Sequence, residues 1–169
     1  QNGGEVVGLD VSGEALDVCA RRGVTTTILG TVDDVPGDER FDTFLLLGKN
    51  LGLLENRTRG PELLRALAGL ARPGARIVGT GVDPYRLDGA LHGEYLAANR
   101  RQGRMSGQMR LRLRHRTLVT DWFDYLFMSV PELEEMTEGT GWSVRDVEWH
   151  GSDYGAVLAL TAPVGASSR

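Results

Sequence analysis

Apolar residues fall along the chain in two rhythms. Some form short β-branched or leucine-rich runs of strand length, and others recur every third or fourth position. Residues 5–10, EVVGLD, open the series as an apolar run that stops at an acid, Asp10. Residues 13–22 carry Ala15, Leu16, Cys19 and Ala20 at helical spacing, with Ser12 placed to cap that helix and Gly23 to stop it. Residues 24–29, VTTTIL, predict a second strand, and 31–40 a polar loop. The continuous run Phe44 to Leu47 predicts a strand buried on both faces. Residues 61–72 form an amphipathic pattern with Pro61 at the first helical position. PGARIVGTGVD, residues 73–83, is a tight turn into another buried strand. The first half therefore reads β-α-β-loop-β-α-β, which predicts an α/β fold with a parallel sheet and helices on both faces.

The second half changes character. Leu87, Ala90, Leu91 and Tyr95 share one side of a predicted helix over 87–104. QMRLRLRHR, residues 108–116, alternates Met109, Leu111, Leu113 and His115 with four arginines, the pattern of a strand with one wet face. Residues 117–129 are predicted as its antiparallel partner. Ser129 caps a helix with Pro131 in its first turn and Gly139 or Gly141 at its end. WSVRDVEWH and YGAVLALTA predict two last strands, and PVGASSR reads as a frayed tail. No linker divides the pattern, so residues 1–169 are expected to form a single domain carrying an inserted segment at 86–127.

Composition narrows the function classes. The 169 residues suffice for one sizeable core. A net charge of −4 argues against a surface built for nucleic acid. The seven arginines between Arg100 and Arg116 read as a solvated strand face before they read as a clamp. Lys49 is the only lysine and Cys19 the only cysteine, so no internal disulfide can form. Cys19 reads as a small buried hydrophobe. No run is long and apolar enough to predict a membrane span, and a bacterial-type cytoplasm is the default compartment. His92, His115 and His150 lack metal-ligand spacing, and no nucleophile elbow is present.

Taken in order, the segments have a counterpart. EVVGLDVSGEALDVCARRGV, ILGTVDDVP, FDTFLLLGKNLGLLE, LLRALAGLARPGARIVGTGVDP and LEEMTEGTGWSVRDVE resemble successive motifs of class I S-adenosylmethionine-dependent methyltransferases. Small bacterial enzymes with a GNNLGLL motif and a WFDYL strand are the nearest likeness. Each motif is weak alone, and their order is the more specific signal. The resemblance implies a Rossmann-like sheet with an antiparallel extension in the C-terminal half, S-adenosylmethionine as cofactor, and methyl transfer to a small-molecule acceptor.

The resemblance also assigns roles. Asp10 would accept from the ribose hydroxyls, as a carboxylate at a strand tip in the crevice can, with Val11 beside the adenine. The plainer reading of Asp10 is an acid near a helix cap. Thr31 and Val32 match the loop that meets the adenine amine, although Thr31 stands where the family carries an aspartate. Leu47 and Gly48 would offer backbone beside the sulfonium. Lys49 and Asn50 would face the acceptor, and Tyr85, His92, Tyr95 and Trp122 would wall its pocket. Core packing and helix starting are the alternatives for these six. No catalytic residue is assigned, because in-line methyl transfer relies mainly on alignment.

One departure sets the alternatives. The family's first strand and its GxGxG loop have no counterpart in this sequence. The expectation is that they lie upstream, and that without them the chain self-associates or pairs with that missing segment. A non-catalytic fragment or domain retaining the fold is the alternative function, and a nicotinamide-binding Rossmann protein a weaker one.

Overall fold

The computed structural model describes residues 4–161, less the side chains of Ala90, Leu91 and Leu118, so the predicted tail lies outside the described residues. The chain divides into two compact units, Gln1–Glu39 and Arg40–Arg169.

The first unit is one β-α-β turn. β1 (Val7–Asp10) pairs in parallel with β2 (Thr26–Leu29), Asp10 opposite Leu29. Between them runs α1 (Gly13–Arg21), whose N-cap Ser12 accepts from the Ala15 amide at 3.2 Å. Gly23, at φ 92°, follows the helix as predicted. Leu16 alone is buried among the described residues here; Ala15 and Cys19 are half-buried and Ala20 is exposed. The apolar stripe of α1 is therefore narrower than its spacing predicts, and Cys19 is only half-sheltered. A 3₁₀ turn at Val32–Asp34 interrupts the predicted loop.

The second unit holds the core. Its sheet runs β3 (Phe41–Leu46), β4 (Ala71–Val82), β10 (Asp153–Leu160) and β9 (Trp142–His150) in spatial order. β3 and β4 are parallel, and both remaining pairings are antiparallel. The predicted turn at Pro73–Gly74 is absorbed as a bulge. Phe41 faces Ala71 and Thr43 faces Arg76, so residues 72–75 lie opposite Asp42 alone. Gly74 takes φ 81° there.

One sheet face is sealed. Ile77 and Leu158, both fully buried, share the core with Leu64 of α2 (Arg59–Gly69) and Leu133 of α4 (Val130–Thr137). The Trp142 indole N–H donates to the Leu64 carbonyl at 2.8 Å, so the ring fills the core without stranding its polar atom. A 3₁₀ segment at Asn50–Leu54 adds Leu51 and Leu54. Leu51 seats against Gly79, where a Cβ would stand 2.6 Å from Leu51 Cδ2. The prediction that Phe44–Leu47 is buried on both faces fails: Leu45 and Leu47 are 62% and 48% exposed. Residues alternate along a strand, and Leu45 and Leu47 fall on the side that is not sealed.

The stretch expected as an insertion, 86–127, contains α3 (Ala90–Arg101) and two short antiparallel pairs: β5 (Gln108–Leu111) with β8 (Phe123–Leu126), and β6 (Arg114–His115) with β7 (Leu118–Val119). The continuous strand predicted at 108–116 is thus broken at Arg112–Leu113. Met109 and Leu111 are half-buried, whereas Leu113 is 62% exposed. Beyond β5, Leu113 and Val119 are exposed, and the Leu113 amide donates to Thr120 Oγ1 at 2.9 Å. Arg110, Arg112, Arg114 and Arg116 are all exposed, the solvated-face reading of that run.

Candidate functional site

In the first unit the carboxyl tip of β1 is shaped by near neighbours in sequence. Asp10 Oδ1 accepts from the Ser12 amide at 2.8 Å, and no partner is recorded for Oδ2 among the described residues. The carboxylate is exposed and half engaged, so the capping role and a ligand role can coexist on its two oxygens. Val11, next along, is 73% exposed. At the end of β2, Asp34 Oδ2 accepts from both the Thr31 amide (2.8 Å) and the Thr31 hydroxyl (3.1 Å). That contact consumes the donor of Thr31 and leaves its lone pairs. Gly30, at φ 146°, lets Asp34 fold back, since a Cβ there would collide with that carboxylate. Val32 starts the 3₁₀ turn half-buried.

In the second unit the carboxyl ends of β3 and β4 lie beside the turn end of the β9–β10 hairpin, where Asp153 pairs with both Val82 and His150. An open cleft of about 510 Å³ lies there, lined by Gly48, Lys49, Thr80, Trp149, His150 and Asp153 among others. Gly48 and Lys49 both take left-handed conformations, at φ 71° and 72°. The Lys49 amide donates to Thr80 Oγ1 at 2.7 Å, and its carbonyl accepts from the Tyr125 hydroxyl at 2.5 Å. Its ammonium pairs with Asp153 Oδ2 at 3.2 Å. Both side chains are about half exposed, so the pair adds little stability, about 0–1 kcal/mol. It fixes where the charge sits. Asn50 follows, exposed, at the start of the 3₁₀ segment.

The other predicted pocket residues are spread over the inserted segment and its flanks. Tyr85 is 50% exposed; its hydroxyl donates to Glu132 Oε1 (3.0 Å) and lies in hydrogen-bond contact with the Ser106 hydroxyl (2.8 Å). Desolvation, with the Glu132 carboxylate adding to it, raises its pKa above the usual tyrosine value. His92 Nε2 lies 2.8 Å from the Pro84 carbonyl. The Tyr95 hydroxyl donates to the Gln108 carbonyl at 3.0 Å, tying α3 to β5. Trp122 is 54% exposed, with the Arg112 guanidinium 5.0 Å from its ring. None of these four lines the cleft that holds Lys49. A smaller cavity of about 120 Å³, lined by Arg57, Met105 and Glu132 among others, draws nothing from the strand ends.

Sequence reasoning missed Thr80, Asp153, Trp149 and His150 as cleft residues, and Tyr125 as the partner of Lys49. Arg86 also went unnoticed: held 3.6 Å from Asp83, it lies over the Trp149 ring, 3.6 Å from the centroid. The signal for Asp153 was its place at the start of the last strand. Tyr125 could be read from sequence only as one more aromatic of a candidate acceptor pocket; its bond to Lys49 had no sequence signal, because the two lie 76 residues apart.

No family model matches the chain, and no curated protein matches it in sequence. Solved structures do. A methyltransferase from Bacteroides fragilis, crystallised with S-adenosyl-L-homocysteine, superposes with a TM-score of 0.72 at 22% identity, over 91% of this chain and 62% of that one. A Methanosarcina mazei S-adenosylmethionine-dependent methyltransferase gives 0.67 at 12%, over 91% and 81%. This fold is that of a class I S-adenosylmethionine-dependent methyltransferase. The Burkholderia thailandensis 1,6-didemethyltoxoflavin-N1-methyltransferase, with 1,6-didemethyltoxoflavin and S-adenosylhomocysteine bound, gives 0.58 at 18%, over 95% and 63%. The chain thus spans less than two thirds of the length of the first and the last of these structures. Among the described residues of this methyltransferase fold, no helix is long and apolar enough to cross a membrane. No group of His, Cys, Asp and Glu side chains among them could hold a metal.

Proposed function

We propose that this chain binds S-adenosylmethionine and serves methyl transfer to a small-molecule acceptor. The observation that carries the reading is the likeness of fold to structures that hold S-adenosylmethionine or its demethylated product, joined to an exposed carboxylate at the tip of β1 with an oxygen to spare. That oxygen fits a ribose hydroxyl, for which a carboxylate is the stronger acceptor. Val11 and Val32 supply apolar surface of the kind an adenine packs on. Thr31 offers an acceptor without charge. In the second unit, Leu47 and Gly48 are the backbone proposed to lie toward the sulfonium, with Lys49 and Asn50 on the acceptor side.

The cofactor would supply an electrophilic methyl group. What this chain contributes is binding and orientation. The 1,6-didemethyltoxoflavin bound in the Burkholderia enzyme supports a small molecule as acceptor. The cytoplasm is the compartment proposed with this reading.

Calorimetric titration with S-adenosylmethionine tests it. Binding is expected, and Asp10→Asn is expected to weaken it roughly tenfold or more, the worth of a hydrogen bond to a charged group. A folded chain that takes no S-adenosylmethionine defeats the proposal. That result would favour a domain that keeps the fold without the cofactor site. The engagement of Asp10 by Ser12 and of Thr31 by Asp34 supports this second reading. Titration with a nicotinamide dinucleotide is the control for the Rossmann alternative.

A further inference from the structure

The turn after β3 is built from an uncommon backbone. Lys49 bears a side chain yet sits at φ 72°, ψ 16°, a conformation that persists where the surroundings determine it. Two bonds do so: the amide donates to Thr80 Oγ1, and the carbonyl accepts from the Tyr125 hydroxyl. Tyr125 is itself well fixed. Phe123 and Phe127 meet its ring edge-on at 6.3 and 6.1 Å. The ring lies over Gly52, where any Cβ would collide with it. Its strand is locked to β5 by the pairing of Met109 with Tyr125. Desolvation raises the pKa of this hydroxyl, so it remains a donor at neutral pH.

We propose that Tyr125 is a positioning residue of the acceptor side: by holding the Lys49 carbonyl it fixes the left-handed turn that presents the Lys49 ammonium, beside Asp153, to the cleft. The base of the inserted hairpin and the turn after β3 then move as one piece. This inference rests on the reading of that cleft as the acceptor side.

Lys49 being the only lysine, a chain labelled with [15N]lysine gives one backbone amide signal from the turn itself. In the unmutated chain that amide is expected to exchange with solvent more slowly than an open-chain amide. Tyr125→Phe keeps the ring over Gly52 and removes only the donor. It is expected to speed Lys49 exchange roughly two- to tenfold, the worth of one net hydrogen bond. In a uniformly 13C,15N-labelled chain the carbonyl-carbon resonance of Lys49 should shift as well, while the Leu158 amide of the core keeps its exchange rate. An unprotected Lys49 amide in the unmutated chain overturns the proposal without any variant. Unchanged Lys49 exchange in Tyr125→Phe overturns it too. So does an equal acceleration at Lys49 and Leu158, which would make Tyr125 merely structural. Absence of S-adenosylmethionine binding by the unmutated chain defeats the methyl-transfer reading, whereas the tie between Tyr125 and the turn is decided by the exchange rates.

Discussion

The two units hold their candidate ligand groups by opposite means. In the first, the bonds that set Asp10 and Thr31 come from residues two and three positions along the chain, and Leu16 is the one buried hydrophobe described. In the second, Lys49 is set by Thr80, Tyr125 and Asp153, which lie 31, 76 and 104 residues away, above a core containing fully buried Leu64, Ile77 and Leu158. Local bonds survive the loss of packing around them, whereas long-range bonds exist only if the whole ladder is in register. The first unit can thus present a ligand group with little core, while the second can do so only as a finished fold.

The largest effect should come from breaking the second core. Leu158→Ala is expected to destabilise by about 2–5 kcal/mol in urea unfolding, by lost burial and a cavity. Leu29→Ala, at a side chain 63% exposed in the first unit, should change stability by less than about 0.5 kcal/mol. Equal costs would erase the contrast. Gly79→Ala comes next. Its Cβ would press on Leu51, an overpacking expected to cost about 1–3 kcal/mol.

A smaller effect sharpens the comparison from the side of local bonds, which the second unit also uses. Ser129 accepts from the Glu132 amide and Glu132 returns a carboxylate to the Ser129 amide at 2.8 Å, a closed capping box. Ser129→Ala should cost about 1 kcal/mol, read from the urea midpoint. The smallest effect is electrostatic. Desolvation raises the pKa of Glu55 above the ordinary glutamate value. The folded state therefore holds its proton to higher pH than the unfolded state. Stability is fully present below the unfolded pKa and falls as pH rises through the folded one. Glu55→Gln should flatten that fall. A steeper decline in the variant, in unfolding measured from pH 4 to pH 7, would reverse the assigned sign.

What the sequence determined is what short-range chemistry determines. The order of strands and helices, the caps at Ser12 and Ser129, the stop at Gly139 (φ 67°) and the acid at the tip of β1 all follow from residues within a few positions of one another. Tertiary structure decided the rest. Phe44–Leu47 reads as buried on both faces, yet Leu45 and Leu47 are exposed, because tertiary packing decides which face of a strand is sealed. The arginine-rich alternation reads as one strand, yet it divides at Arg112–Leu113, where Leu113 is exposed. The surroundings of Lys49 were decided last of all. A lysine after a buried strand can point anywhere until a hydroxyl from β4, a phenol from β8 and a carboxylate from β10 arrive together. Their arrival depends on strand register, which is cooperative over the whole sheet and is written in no single segment.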